Sequence, residues 1–247
     1  MNTRNQRSAQ CFAIFLLGLI SVPPTLSQSG NIEVIEGIDA AVRARDQSVR
    51  GYNVTEHYAL FRNQDREHPA AEMTVKTTYQ RDVGKSYAVL SASGSDLWRK
   101  EVLGSILDTE RRMTQPANRA TAVITSANYK MAVKGTESLN GRSCLVVSLI
   151  PKRNSPYLFN GTIWVDARDY SIVQLDGMAS KSASVVTGPA QVTRQYANFN
   201  GFPMATHAQA ISKSWALGQT TIKIDYSGYE VMLQTPKIPE GAPQQLH

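Results

Sequence analysis

The sequence predicts an α+β protein that is mainly β: a single curved antiparallel sheet forming a half-open β-barrel, with two helices covering the concave side. Three observations predict this fold. About ten stretches alternate apolar and polar residues, which gives each a single apolar face. Most of them are joined by short turns, and short turns make neighbouring strands antiparallel. Two amphipathic helical segments are available to cover the apolar side of such a sheet.

The first 27 residues have the pattern of an export signal. A basic start precedes an apolar run at 11–22, and a Pro-Pro pair breaks that run before small residues that favour cleavage near Ser27. The run is shorter than the roughly 20 residues that span a membrane. We therefore expect a cleaved signal peptide, with an uncleaved anchor as the alternative, and no integral membrane segment in the mature chain.

Two segments have the spacing of amphipathic helices. The first is 32–46, where apolar residues recur every three or four positions; Gly37 weakens it, Arg43 and Arg45 lie near its end, and Gly51 is expected to end it. The second is predicted to begin at 95 or 96 and to reach Met113, with Glu110 among the charged residues that face solvent. Its apolar face contains Trp98, Val102, Leu103, Ile106, Leu107 and Met113.

The other regular segments predict strands. Their boundaries are turn residues, above all the Asn140-Gly141 and Asn200-Gly201 pairs, which are typical of tight hairpins. The predicted strands are 52–62, 71–80, 86–92, 129–135, 142–151, the two arms of a hairpin within 157–177, 190–199, 204–215 and 220–231. Three prolines in 234–247 predict an extended or disordered tail, so that 28–233 forms one domain.

The sequence contains no constellation typical of catalysis. The usual motifs of hydrolases, zinc proteases, phosphate-binding loops and dinucleotide-binding folds are absent, and the four histidines are dispersed. Asp166 and Asp169 lie in one tight turn, and Cys144 stands among apolar residues that favour its burial. The net charge of +6 is spread along the chain without a basic stripe. We therefore expect no enzyme, no metal, no cofactor and no nucleic-acid partner.

Residues 128–231 carry a resemblance to a known family. The stretch contains G-x-E-x-x-x-G-R at 135–142, a Pro-Lys-Arg turn, G-x-I-W-V-D at 161–166 and an I-x-Y-x-x-Y pattern that ends at Tyr229. These features resemble bacterial periplasmic proteins related to the outer-membrane lipoprotein-sorting carriers, the LolA/LolB-like superfamily. The first half of the chain is similar to them only in outline.

The resemblance implies a half-open β-barrel closed by helices around an apolar cavity for acyl chains, without a cofactor or a catalytic residue. It implies an exported periplasmic carrier that binds acyl chains of lipids or lipoproteins, of the outer-membrane lipoprotein-sorting type. The alternative is an envelope sensor or protein-interaction module of the same fold, with an envelope protein as its partner and no transported cargo. An enzyme would require clustered titratable groups in a pocket.

Alternation and the helical stripe together define the candidate lining of the cavity. A ligand site of this kind has to be apolar and partly dry. The candidates on the strands are Tyr58, Leu60, Met73, Val75, Tyr79, Val89, Ile163, Val165, Val173, Leu175, Ile222, Ile224 and Tyr226, and those on the second helix are Trp98, Val102, Ile106 and Leu107. The alternative reading is that these side chains only pack on one another and leave no cavity.

Overall fold

A computed structural model describes residues 28–181, 189–214 and 218–234 of the 247-residue chain. The helices in this part are α1 (Gln28–Ser48), α2 (Gly104–Thr114) and α3 (Pro116–Arg119), and a π-helical segment, Trp98–Leu103, precedes α2. The strands are β1 (Val49–Arg62), β2 (Ala71–Gln80), β3 (Gly84–Gly94), β4 (Tyr129–Leu139), β5 (Arg142–Pro151), β6 (Phe159–Asp166), β7 (Ile172–Ala179), β8 (Ala190–Phe199), β9 (Phe202–Ser214) and β10 (Gly218–Leu233).

The described strands form one antiparallel sheet that does not close, which confirms the predicted fold class. Its order is β3-β2-β1-β10-β9-β8-β7-β6-β5-β4, so β3 and β4 are its edges. Neighbouring strands in the sheet are also neighbours in sequence, except for β1 and β10. Their pairing, from Val49 opposite Leu233 to Arg62 opposite Thr220, joins the first strand to the last and unites two meanders into one sheet.

One face of the sheet carries the core along its whole width. Side chains of directly paired residues point to the same side of an antiparallel sheet. One continuous row of such pairs crosses nine strands from β2 to β4: Met73, Tyr58, Ile224, Ala208, Arg194, Leu175, Ile163, Val147 and Val133. We call the side that carries this row the inner face.

Both helical regions pack on the inner face, as predicted. Trp98, Val102, Leu103 and Leu107 pack with the inner residues of β1, β2, β9 and β10. Val34 and Ile38 of α1 pack with those of β5, β6 and β7. A third cluster joins Val49, Tyr52, Val54, Tyr79 and Met204 near the start of β1.

Polar contacts fix α1 across the second half of the sheet. Asp39 accepts hydrogen bonds from the Ser126 amide, at 2.8 Å, and from its hydroxyl, at 2.5 Å. The Val133 amide of edge strand β4 donates to Asn31 Oδ1 at 3.1 Å, so the helix satisfies part of this exposed edge. Arg81 donates to the carbonyls of Asp46 and Gln47 and thereby caps the carboxyl end of α1.

Several predicted boundaries need correction. Helix α1 is longer than 32–46, and it ends at Ser48, directly before β1, rather than at Gly51. The second helix is interrupted by the π-helical segment and ends at Thr114. In contrast, β2, β5 and β8 have the predicted limits, and Asn140 and Asn200 have the left-handed φ values, both 52°, that their turns require.

One predicted lining residue, Val89, lies on the inner face but is exposed. It pairs with Val75 and so lies on the inner face, in agreement with the alternation. However, it is 59% exposed, because β3 is an edge strand whose far half no helix covers. The prediction that Val89 lines an enclosed cavity is therefore wrong.

The predicted signal peptide and nearly all of the tail lie outside the described residues. No helix in the described part is long and apolar enough to cross a membrane. The assignment of 1–27, 28–233 and 234–247 to signal, domain and tail stays a prediction.

Gly37 has a structural role that its low helix propensity conceals. The Tyr170 ring, which follows the β6–β7 turn, lies directly against the glycine, and a Cβ atom at this position would be 2.5 Å from Tyr170 Cδ2 and 2.7 Å from Cγ. Since Cγ lies on the axis about which the ring turns, a rotation of the ring alone cannot relieve this contact. The absence of a side chain at Gly37 therefore sets how closely α1 approaches the sheet.

We predict opposite effects of alanine at two helical glycines. Gly37→Ala should destabilise the protein by about 1 kcal/mol or more, because overpacking against Tyr170 outweighs the gain of roughly 1 kcal/mol in helix propensity. Gly104→Ala is the matched control: its Cβ would meet nothing closer than 3.6 Å, so it should stabilise by up to about 1 kcal/mol. Urea unfolding measures both, and equal effects would contradict the close packing at Gly37.

Candidate functional site

A cavity of about 420 Å³ lies between the helices and the inner face. Its helical walls come from α1 and α2 and from the segment 122–124 after α3. Its floor consists mainly of inner residues of β7, β8, β9 and β10. The cavity therefore separates the two core clusters that the helices form.

The cavity is elongated along β9. Lining residues occur along this strand from Pro203 to Ser212, which corresponds to roughly 30 Å at the rise of a β-strand. Three of them, Ala208, Ala210 and Ser212, are small, and Ala210 belongs to an inner row that continues through Val192 and a pair of opposed glycines. Small side chains on the floor leave the space that larger ones would fill.

A buried cluster of charges forms one side of the cavity. Glu110 of α2 accepts two charged hydrogen bonds. One carboxylate oxygen accepts from Lys85 Nζ of β3 at 2.6 Å, and the other accepts from Arg194 Nη2 of β8 at 3.0 Å. Lys85 Nζ is also 3.4 Å from Glu56, which is fully buried on β1. The Tyr58 hydroxyl donates to the other oxygen of Glu56 at 2.5 Å. Two acids thus balance two bases.

The pKa shifts in this cluster keep Glu110 and Lys85 charged. Burial favours the neutral form of Glu110, but Lys85 and Arg194 outweigh it and lower its pKa to about 2. Burial likewise opposes the charge on Lys85, yet the neighbouring carboxylate of Glu110 holds its pKa well above the ordinary value. Burial and then the nearby carboxylates raise the pKa of Tyr58, so this phenol remains a donor.

A second set of charges lies where α1 ends and β9 begins. Arg119 pairs with Asp46 at 3.1 Å and donates to the Tyr79 hydroxyl at 3.2 Å. Arg45 donates from Nε to the carbonyl of Pro203 at 3.1 Å and from Nη2 to Met204 Sδ at 3.4 Å. All of these side chains line the cavity.

The predicted lining residues fall into two groups. Apart from Tyr79 and Val89, the strands and the second helix supplied fifteen candidate lining residues. Six of these line the cavity: Val102, Ile106, Leu175, Ile222, Ile224 and Tyr226. The others lie in the packed clusters beside it: Trp98, Leu107, Tyr58, Leu60, Met73 and Val75 in the first, and Ile163 and Val165 in the second. Val173 is buried next to the β-bulge of β7 and belongs to neither cluster. Tyr79 also lines the cavity.

Sequence reasoning missed the charged members of the site. The assignment of Glu110 to the solvent-facing side of its helix was wrong, since the residue is only 6% exposed. Lys85 lies just before the predicted strand 86–92, although it belongs to β3. One signal was available: Glu56 alternates with the apolar residues of β1, which places it on the inner face, where a carboxylate needs a basic partner.

The remaining titratable candidates have local roles. Asp166 accepts the side chain of Arg168, and this hydrogen bond lowers its pKa to about 2, so the turn explains it. His57 and His207 pair with Glu72 and Asp225 on the opposite face of the sheet. Cys144 is buried. Within the described ranges, no group of three or more potential ligands could hold a metal ion.

No family model matches the chain, and no curated protein matches it in sequence. Solved structures do show likenesses. A LolA superfamily protein from Nitrosomonas europaea is 13% identical, with a TM-score of 0.46 over 84% of this chain and 96% of that one. A domain from Vibrio parahaemolyticus assigned to the outer membrane lipoprotein-sorting proteins is 13% identical, with a TM-score of 0.46 over 82% and 92%.

MucB is a third solved structure with a likeness to this chain. It is 11% identical, with a TM-score of 0.28 over 88% of this chain and 64% of that one. The first two belong to the superfamily that residues 128–231 resemble in sequence. With scores below 0.5, none of these likenesses bears on cargo, partner or activity.

We predict that the buried ion cluster is far more sensitive than the surface of the same helix. Glu110→Gln leaves Arg194 without its carboxylate and should cost about 3–5 kcal/mol of unfolding free energy. The matched control Asp108→Asn removes only an exposed pair with Arg111 and should cost less than about 0.5 kcal/mol. Urea unfolding compares the two, and similar values would contradict the buried network.

The same carboxylate predicts an acid dependence of stability. The pKa of Glu110 is about 2 in the folded protein, against an ordinary value of 4.5, so the unfolded chain binds its proton more readily. Its contribution is complete above about pH 4.5 and is lost as the pH falls toward 2. The unfolding free energy of the wild type should therefore fall as the pH is lowered through this range, and Asp166 supplies only part of that slope. In Glu110→Gln the fall should be less steep.

Proposed function

We propose that the protein is an exported periplasmic carrier that binds an acyl chain of a lipid or lipoprotein between its helices and the inner face of its sheet. The observation that carries the proposal is the elongated cavity of about 420 Å³. The walls along β9 and β10 are aliphatic, from Ala208 and Ala210 to Ile222 and Ile224. If the candidate residues only filled a core, no space of this size would remain, because protein interiors are close-packed.

The shape of the cavity fits one extended chain. Its lining follows β9 for roughly 30 Å, so its volume of about 420 Å³ is spread along a long, narrow space. An extended hydrocarbon chain has this shape. In the described conformation the site therefore suits one acyl chain.

The physical driving force needs no specific polar contact. Each methylene that leaves water contributes roughly 0.8 kcal/mol, so a chain of twelve methylenes gains about 10 kcal/mol before the cost of immobilisation. A carrier with this mechanism needs no catalytic residue. Its affinity depends on the length of chain that the cavity can enclose.

One observation favours the alternative, a protein-interaction module. Edge strand β3 has no charged residue from Ser86 to Gly94, and Val89 and Leu90 are each 59% exposed. Natural edge strands usually carry charges that prevent pairing with another chain. An extended segment of a partner protein could add a strand here. A complex that Leu90→Lys abolishes, in a protein without bound lipid, would favour this function over the carrier.

We predict that the mature protein, purified from a periplasm without detergent, carries a mass of lipid size in native mass spectrometry. Ala210→Trp should abolish this mass, because the indole fills the floor of the cavity. Ile211→Trp is the matched control: Ile211 pairs with Thr221 and Gln191 on the outer face, so lipid should remain. A wild-type protein that is empty and also refuses fluorescent acyl probes would refute the carrier.

A further inference from the structure

The charges around the cavity do not cancel, and the imbalance has one source. Lys85 and Arg194 are balanced by Glu110 and Glu56, and Arg119 is balanced by Asp46. Arg45 is the remaining cation that lines the cavity. Among the described residues, no carboxylate forms an ion pair with it.

The geometry of Arg45 leaves part of its guanidinium open. Its described hydrogen bonds use Nε, to the carbonyl of Pro203, and Nη2, to the sulfur of Met204. Both acceptors are neutral, and they fix the side chain at the start of β9. Within 28–181, 189–214 and 218–234, Nη1 has no hydrogen-bond partner, and it is not among the buried atoms that lack one. Two donors on Nη1 therefore remain available at a half-buried site.

Arg194 and Tyr226 do not provide free polar atoms that a ligand can reach. In the described part of the chain, Arg194 Nε and the Tyr226 hydroxyl lack hydrogen-bond partners, and both residues line the cavity. However, these two atoms are sealed from any atom of water size, so a ligand cannot reach them without a rearrangement. Arg194 is also neutralised by Glu110 at 3.0 Å. Arg45 is thus the basic group that can meet a ligand directly.

We propose that the ligand is an amphiphile with a single acyl chain and an anionic oxygen head group, a carboxylate or a phosphate, and that Arg45 binds this head group. The inference rests on the proposed function, because it assumes that the chain lies along β9. The head group lies at Pro203, where Arg45 is held, and the chain extends toward Ser212. The free Nη1 can donate a charge-assisted hydrogen bond to a carboxylate or phosphate oxygen, and such bonds are about twice as strong as neutral ones.

The test uses three ligands with the same twelve-carbon chain: dodecanoate, monododecyl phosphate and dodecanol. Calorimetric titration of the mature wild-type protein gives the dissociation constants. Each ligand is kept below its critical micelle concentration or, for dodecanol, below its solubility limit. We expect at least one anion to bind about tenfold or more tightly than dodecanol, as a charge-assisted hydrogen bond predicts. A preference for the carboxylate assigns a fatty acid, and a preference for the phosphate assigns a phospholipid head group.

The variants identify the residue. In Arg45→Gln the preference for the anion should disappear, while dodecanol binds as before. Arg43→Gln is the matched control, since it removes the same charge from the same helix at an exposed position that does not line the cavity. It should keep the full preference. Arg45→Lys keeps the charge without the planar fork and should keep part of it.

The outcomes separate this inference from the proposed function. If dodecanol binds as tightly as both anions in the wild type, or if Arg45→Gln keeps the preference, the head-group assignment is wrong and the carrier stands. If none of the three ligands binds, both proposals are wrong. Because the wild-type series requires no substitution, it decides the head group even if Arg45→Gln fails to fold.

Discussion

A single carboxylate holds the two halves of this fold at a fixed distance. Glu110 binds Lys85 of β3 and Arg194 of β8, and these strands are five places apart in the sheet. In a flat sheet that separation would be roughly 24 Å, at about 4.8 Å per strand. Both bases nevertheless lie within 3.0 Å of the same side chain. The inner face must therefore curve strongly around α2.

That curvature explains why a cavity exists beside well-packed core clusters. The first cluster fills the space under α2, and the second fills the space under α1. Ala210 and the opposed glycines of β6 and β7 lie on the same face, and their small size leaves space that larger side chains would fill. A void forfeits the dispersion energy of its walls, so collapse would normally remove it. Collapse would pull Glu110 away from Lys85 or Arg194, and an unpaired buried charge is more costly than the void.

Local pattern predicted what depends on local physics. Alternation placed β2 with its correct limits, and the Asn-Gly pairs placed two turns, because strand faces and left-handed turn residues are properties of short segments. The pairing of β1 with β10 depends on the whole chain, so no short segment encodes it. The same holds for Glu110: its helix looks amphipathic, and only the curved sheet brings Lys85 and Arg194 to its polar side. Gly37 lowers the helix propensity of α1, and its packing against Tyr170, which lies far away in the sequence, is what requires a glycine there.

The distribution of charge separates affinity from selectivity in this cavity. Hydrocarbon burial gives every acyl chain of suitable length nearly the same gain, so the aliphatic floor cannot distinguish one amphiphile from another. The cluster around Glu110 pairs two acids with two bases, so it carries no unbalanced charge that would attract a head group. Discrimination requires a group that is charged, accessible and unbalanced. Arg45 combines these properties at the start of β9, which is why the selectivity of the site is expected there and not among the apolar residues that give it its shape.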